Sequence, residues 1–67
     1  MIKIKRERFE QTGHWFDYEL DNGAVLHSSE WNGEEYTIKE GNYERRFRPV
    51  MVKIQKDEWK TIGFEEV

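Results

Sequence analysis

Cysteine is missing from this 67-residue chain, proline occurs once and histidine twice. The missing thiols exclude a disulfide framework and a thiolate metal site, so burial of side chains must hold the fold. No apolar run approaches the roughly 20 residues that a membrane-spanning helix needs. The opening residues, Met1-Ile2-Lys3-Ile4-Lys5-Arg6, have no apolar stretch behind them and do not read as a signal peptide. Together with the absent cysteines, this gives a cytoplasmic setting as the expectation, with no membrane partner. Helical periodicity is also missing, as are internal repeats, linkers and low-complexity segments.

The scarcity extends to catalytic chemistry. His14 and His27 could join a carboxylate such as Glu30 around zinc, but no ligand spacing links them. His27-Ser28 sets a base beside a hydroxyl. Nucleophile, base and orienting group must meet in a pocket, however, and a chain this short has little room for one. The expectation is a protein without enzymatic activity, metal or cofactor.

What the chain does have is turn chemistry between alternating apolar residues. Asn22-Gly23 and Asn32-Gly33 punctuate three strand-like runs between Phe16 and Ile38. Asn-Gly in that setting is the strongest short-range hairpin signal, since a type I′ turn needs positive φ at both central positions. The spacing predicts a three-stranded antiparallel meander there, with a type I′ turn at Gly23. Across the whole chain six strands are expected: Ile2 to Gln11, His14 to Leu20, Ala24 to Trp31, Glu35 to Glu40, Tyr43 to Lys56 and Glu58 to Glu65. Ile2, Ile4, Phe16, Tyr18, Leu20, Leu26, Tyr36 and Ile38 make the inward face. A bulge near Arg6-Glu7-Arg8 would reconcile Phe9 with that face. In the fifth strand, Tyr43, Arg45 and Phe47 share one parity and Val50, Val52 and Ile54 the other. A face flip at Arg48-Pro49 would turn both sets inward. Ser28-Ser29-Glu30 has the residues of a helix cap, but Asn32-Gly33 follows too soon to leave a helix room.

Residues 1–67 therefore read as one all-β domain: an antiparallel meander of five or six strands curled into an SH3-like or similar small barrel. So small a chain buries only about 60% of its unfolded surface, so its core must be dense. An aromatic share of 15% supplies that density.

The net charge of −3 hides a pattern. Glu10 to Glu44 carries nine acids against one base, Lys39, while Met1 to Phe9 and Arg45 to Val67 are both net basic. If the first strand pairs with the fifth or sixth, Lys3, Lys5, Arg46 and Lys53 should join in one basic patch. The acids would then turn to the other side. Trp15, Trp31 and Trp59 fall away from the inward faces and are candidate contact anchors or, equally, a second minicore covering the open end of a small barrel. With Lys3, Lys5, Arg46, Arg48 and Lys53 they form the candidate interaction surface.

Three stretches resemble a family of short uncharacterised proteins, a domain of unknown function from phages and mobile elements of Gram-positive bacteria. They are Leu26-His27-Ser28-Ser29-Glu30, Arg48-Pro49-Val50-Met51-Val52 and Glu58-Trp59-Lys60-Thr61-Ile62-Gly63-Phe64. The chain departs from that family at Ser29, Met51 and Lys60, where glycine, arginine and tyrosine are expected. The resemblance implies a setting rather than an activity. The functional expectation is a non-enzymatic module that binds another protein. The alternative is a nucleic-acid-binding accessory protein using the basic face, and the third reading is an acidic mimic of DNA.

Overall fold

Extended backbone sends successive side chains to opposite faces, so apolar alternation builds sheets with one buried side. The computed structural model describes residues 1–67 and realises this as six strands. They are β1 (Ile2–Phe9), β2 (Phe16–Leu20), β3 (Val25–His27), β4 (Tyr36–Glu40), β5 (Tyr43–Gln55) and β6 (Glu58–Glu66). All neighbours are antiparallel, in the order β3-β2-β1-β6-β5-β4. The sheet curls into a nearly closed, barrel-like form. No helix is long and apolar enough to cross a membrane.

The order corrects the expected central meander. β2 and β3 form a hairpin around Asn22-Gly23, but β3 and β4 are the two outer edges of the sheet. The chain does reverse at Asn32-Gly33, where the Asn32 amide donates to Glu35 O at 3.1 Å, but no β3–β4 ladder follows and the connection closes the barrel. Ser28–Glu30 is a 3-10 turn rather than strand. The His27 amide donates to Glu30 Oε1 at 2.8 Å, and the Trp31 amide donates back to Ser28 O at 3.3 Å. A short turn thus fits where a longer helix would not. Trp31, just past the 3-10 turn, and Tyr36 of β4 then make a single antiparallel bridge across the reversal at Asn32-Gly33. Asn32 Oδ1 accepts from the amides of Glu34 and Glu35 at 2.9 and 2.8 Å, folding the connection.

The turn at Gly23 is also of a different type. Its φ is 90°, but Asn22 is not in the positive region, so the turn is not type I′. Leu20 donates to Ala24 O and Gly23 donates to Leu20 O. These bonds define a three-residue loop, Asp21 to Gly23, ending in a left-handed residue. Asn22 contributes through its side chain, which accepts from the Ala24 amide at 3.0 Å.

The core is Leu20, Ala24, Leu26, Tyr36, Ile38, Phe47 and Phe64. Phe47, Phe64, Leu20 and Leu26 are fully buried, and each contributes roughly 1.5–3 kcal/mol relative to exposure. Tyr18 and Tyr36 lie 5.3 and 5.6 Å from Phe64, centroid to centroid, and Trp31 lies 4.8 Å from Tyr36. The strands of the two halves pair with each other only where Ile2 meets Phe64 and Lys3 meets Gly63. A Cβ on Gly63 would stand 2.7 Å from the Ile2 carbonyl oxygen, so glycine lets β1 approach.

Irregularities set which residues face inward. In β1 the extra residue is Lys5, between the pairs Ile4–Leu20 and Arg6–Glu19. This puts Phe9 on the face of Ile2 and Ile4, through a bulge one residue before the expected segment. No flip occurs at Arg48-Pro49, which pair in register with Glu65 and Phe64. Val50, Val52 and Ile54 are therefore not turned inward. Beyond Val50 the β5–β6 hairpin leaves the core, and every residue from Met51 to Lys60 is exposed. The molecule is correspondingly long, 42 × 28 × 22 Å.

Candidate interaction surface

The hairpin's exposure follows from its sequence. The inward-parity positions beyond Pro49 and Phe64 are Met51, Lys53, Trp59 and Thr61, and no other strand supplies apolar groups to cover them. Met51 pairs Thr61 and Lys53 pairs Trp59, so these four share one face of the ribbon. Val52 and Lys60 lie on the opposite face, and Ile54 is the extra residue of a second bulge. Exposure is 51% for Met51, 38% for Val52, 54% for Ile54 and 60% for Trp59. Sequence reasoning singled out Trp59 and Lys53 but placed Val52 and Ile54 inside. The available signal was length: thirteen residues is long for a strand in so small a barrel.

The three tryptophans are not gathered together by the strands. Trp59 is on the ribbon. Trp31 follows the 3-10 turn and leans on Tyr36 of the core. Trp15 precedes β2 and walls a shallow cleft of about 590 Å³ with His14, Asp17, His27, Ser28 and Ser29. In that cleft His27 Nδ1 bonds Asp17 Oδ1 at 2.6 Å, and the Phe16 amide donates to Ser28 Oγ at 3.3 Å. Glu30 is occupied by the His27 amide and His14 faces Glu10 at 3.5 Å, so neither joins His27 as a ligand set.

Register parts the expected basic patch: Lys3, Arg46 and Arg48 share the face of Gly63 and Val50, whereas Lys53 lies on the opposite face with Met51 and Trp59. Lys3 lies opposite Gly63 on β6, and Lys5 meets Glu19 at 3.7 Å. In backbone register Arg6 stands opposite Glu19 and Arg8 opposite Asp17 across β1–β2, Lys39 opposite Glu44 and Arg48 opposite Glu65, with no ion pair between the members of these four. Arg46 and Arg48 do come together, reaching the buried Glu35 at 3.1 and 4.0 Å. Arg45 forks onto Glu66 with two bonds of 2.8 Å, reaches Glu40 at 3.1 Å and lies over the Phe47 ring. The Glu66 carboxyl is held below its ordinary value by those bonds, and the Arg45 guanidinium is raised. The acidic middle of the chain is thus interleaved with the basic ends, because antiparallel register sets opposite charges side by side. Lys53, Lys56 and Lys60, all on the ribbon, form none of these ion pairs.

No protein-family model matches the chain, and no curated protein or solved structure matches it either.

Proposed function

We propose that this chain is a non-enzymatic protein-binding module that engages its partner through the β5–β6 ribbon. The observation that carries this reading is the joint exposure of Met51, Val52, Ile54 and Trp59 on a stretch with no buried residue. Met51 and Trp59 stand on one face of the ribbon and Val52 on the other, so each face offers exposed apolar surface among polar groups, a mark of interaction sites. Tryptophan is a typical anchor, and methionine adapts to a partner's contours. The resemblance of Arg48 to Val52 and Glu58 to Phe64 to short phage and mobile-element proteins supports that setting, with action in the cytoplasm.

A nucleic-acid partner is the second reading, favoured by the free Lys53, Lys56 and Lys60. Three phosphate contacts would give a salt slope of only roughly −2.7. Lys5, Arg45, Arg46 and Arg48 are already held by glutamates and add little, and acidic mimicry of DNA has the same difficulty in reverse.

A photo-crosslinking residue at Trp59, with a control at the exposed Tyr43 off the ribbon, tests the proposal in the host cell. The expected result is a protein adduct from position 59 and none from position 43. Equal labelling from both positions, or adducts with nucleic acid alone, would overturn it.

A further inference from the structure

β5 is paired on both sides for only part of its length. β4 accompanies it from Tyr43 to Phe47, where Tyr36 is the last partner, and then turns away toward Asn32. From Arg48 to Gln55, β5 pairs β6 on one side, and no strand of the chain pairs with the other. An open edge of this kind presents unpaired amides and carbonyls to any extended chain. Val50, Val52 and Ile54 add β-branched side chains along it.

Charge decides what such an edge can take. The stretch from Arg45 to Lys56 contains five bases and no acid. Arg45, Arg46 and Arg48 contact glutamates, whereas Lys53 and Lys56 contact none. A second copy pairing along the same edge would set this basic strand against itself, and like charges across a strand pair are destabilising. An acidic strand meets the opposite situation, with its carboxylates beside Lys53 and its apolar residues beside Val52 and Ile54. The ribbon also carries too few bases, and apolar groups on both faces, to suit a phosphate backbone.

We infer that the open β5 edge from Arg48 to Gln55 accepts an extended, acidic segment of the partner protein as an added strand, continuing the sheet position that β4 leaves at Tyr36. Backbone bonds supply the affinity, and charge opposite Lys53 supplies the selectivity. This inference rests on the ribbon being the contact surface, and it adds the mode of binding and the partner's chemistry.

The test is a titration of the full-length, nitrogen-15-labelled chain, followed by amide shifts. The probes are a short peptide of alternating valine and glutamate, its valine–lysine counterpart and the valine–glutamate peptide N-methylated at every residue, which blocks both edges. A DNA duplex and anionic phosphatidylglycerol vesicles complete the set. The expected result is shifts centred on Val50 to Gln55, with the glutamate peptide binding about tenfold more tightly than the lysine peptide. N-methylation should abolish binding, and Lys53→Glu should reverse the order of the two peptides. Equal affinities, no shifts with the glutamate peptide, or shifts only with DNA or vesicles would overturn strand addition. If peptide binding fails while the Trp59 adduct persists, strand addition falls and the ribbon survives as the contact surface. If both fail, both readings fall.

Discussion

Lys53 and Trp59 stand opposite each other across the β5–β6 ribbon, side chains on one face, and neither is covered by any other strand. In the body of the sheet the corresponding face holds Phe47 and Phe64, both fully buried. The same strand pair therefore serves two purposes along its length. One end closes the core, and the other projects from it.

That division sets the cost of substitution. Trp59→Ala and Met51→Ser should change stability by less than about 1 kcal/mol, since exposed positions lose only cross-strand contact. Phe64→Ala should cost about 3–5 kcal/mol, a large part of a small domain's stability. Urea unfolding of the three variants checks this, and a Trp59 effect as large as that of Phe64 would show the ribbon to be part of the core.

Glycine matters where the backbone demands it. Gly23→Val should destabilise by about 1 kcal/mol or more, because φ is 90° there. Gly63→Ala should also destabilise, by forcing β1 away from β6 at their only junction. Thermal melts unchanged by both would contradict the loop and the junction described here.

Alkaline pH should loosen the fold through Tyr36. Burial, and then the neighbouring Tyr18, pushes its phenol from 10.0 up to about 12. The unfolded chain ionises first, so this contribution is complete below pH 10 and is lost as pH rises toward 12. Tyr36→Phe should flatten that loss in denaturant midpoints measured across the range.

Acid should act through Glu66, whose carboxyl is lowered from 4.5 by its bonds to Arg45. Its contribution is present above the ordinary value and disappears as pH falls through the lowered one. Glu66→Gln should therefore reduce stability near neutrality and lessen the further decline in acid. Unfolding midpoints from about pH 6 to pH 2 that show the same acid decline in both chains would contradict the pair's role.

The all-β class was legible because alternation and turn residues are local properties. Leu20, Leu26, Tyr36 and Ile38 needed only their parity to be placed inside. The connection around Asn32-Gly33 was not legible as closure, since the hairpin signal does not reveal that β3 and β4 lie at opposite edges. Val52 and Ile54 were misplaced because apolar character shows what a residue prefers, whereas burial requires a facing partner. The interleaving of acids and bases was hidden for a similar reason. Pairs such as Arg8 with Asp17 and Arg46 with Glu35 depend on register, which net charge along the sequence does not contain.

If the ribbon serves binding and the rest of the sheet serves folding, the two must be separable. Joining Val52 to Lys60 through Asn-Gly, with Lys53 to Trp59 removed, tests it most directly, because Val52 and Lys60 already pair. Amide spectra of the shortened chain would be compared with the parent, alone and with the partner identified by crosslinking at position 59. Unchanged resonances for Leu20, Leu26, Tyr36, Phe47 and Phe64 are expected, together with loss of partner binding. A shortened chain that still binds with the parent's affinity, or one whose core resonances collapse, would contradict it.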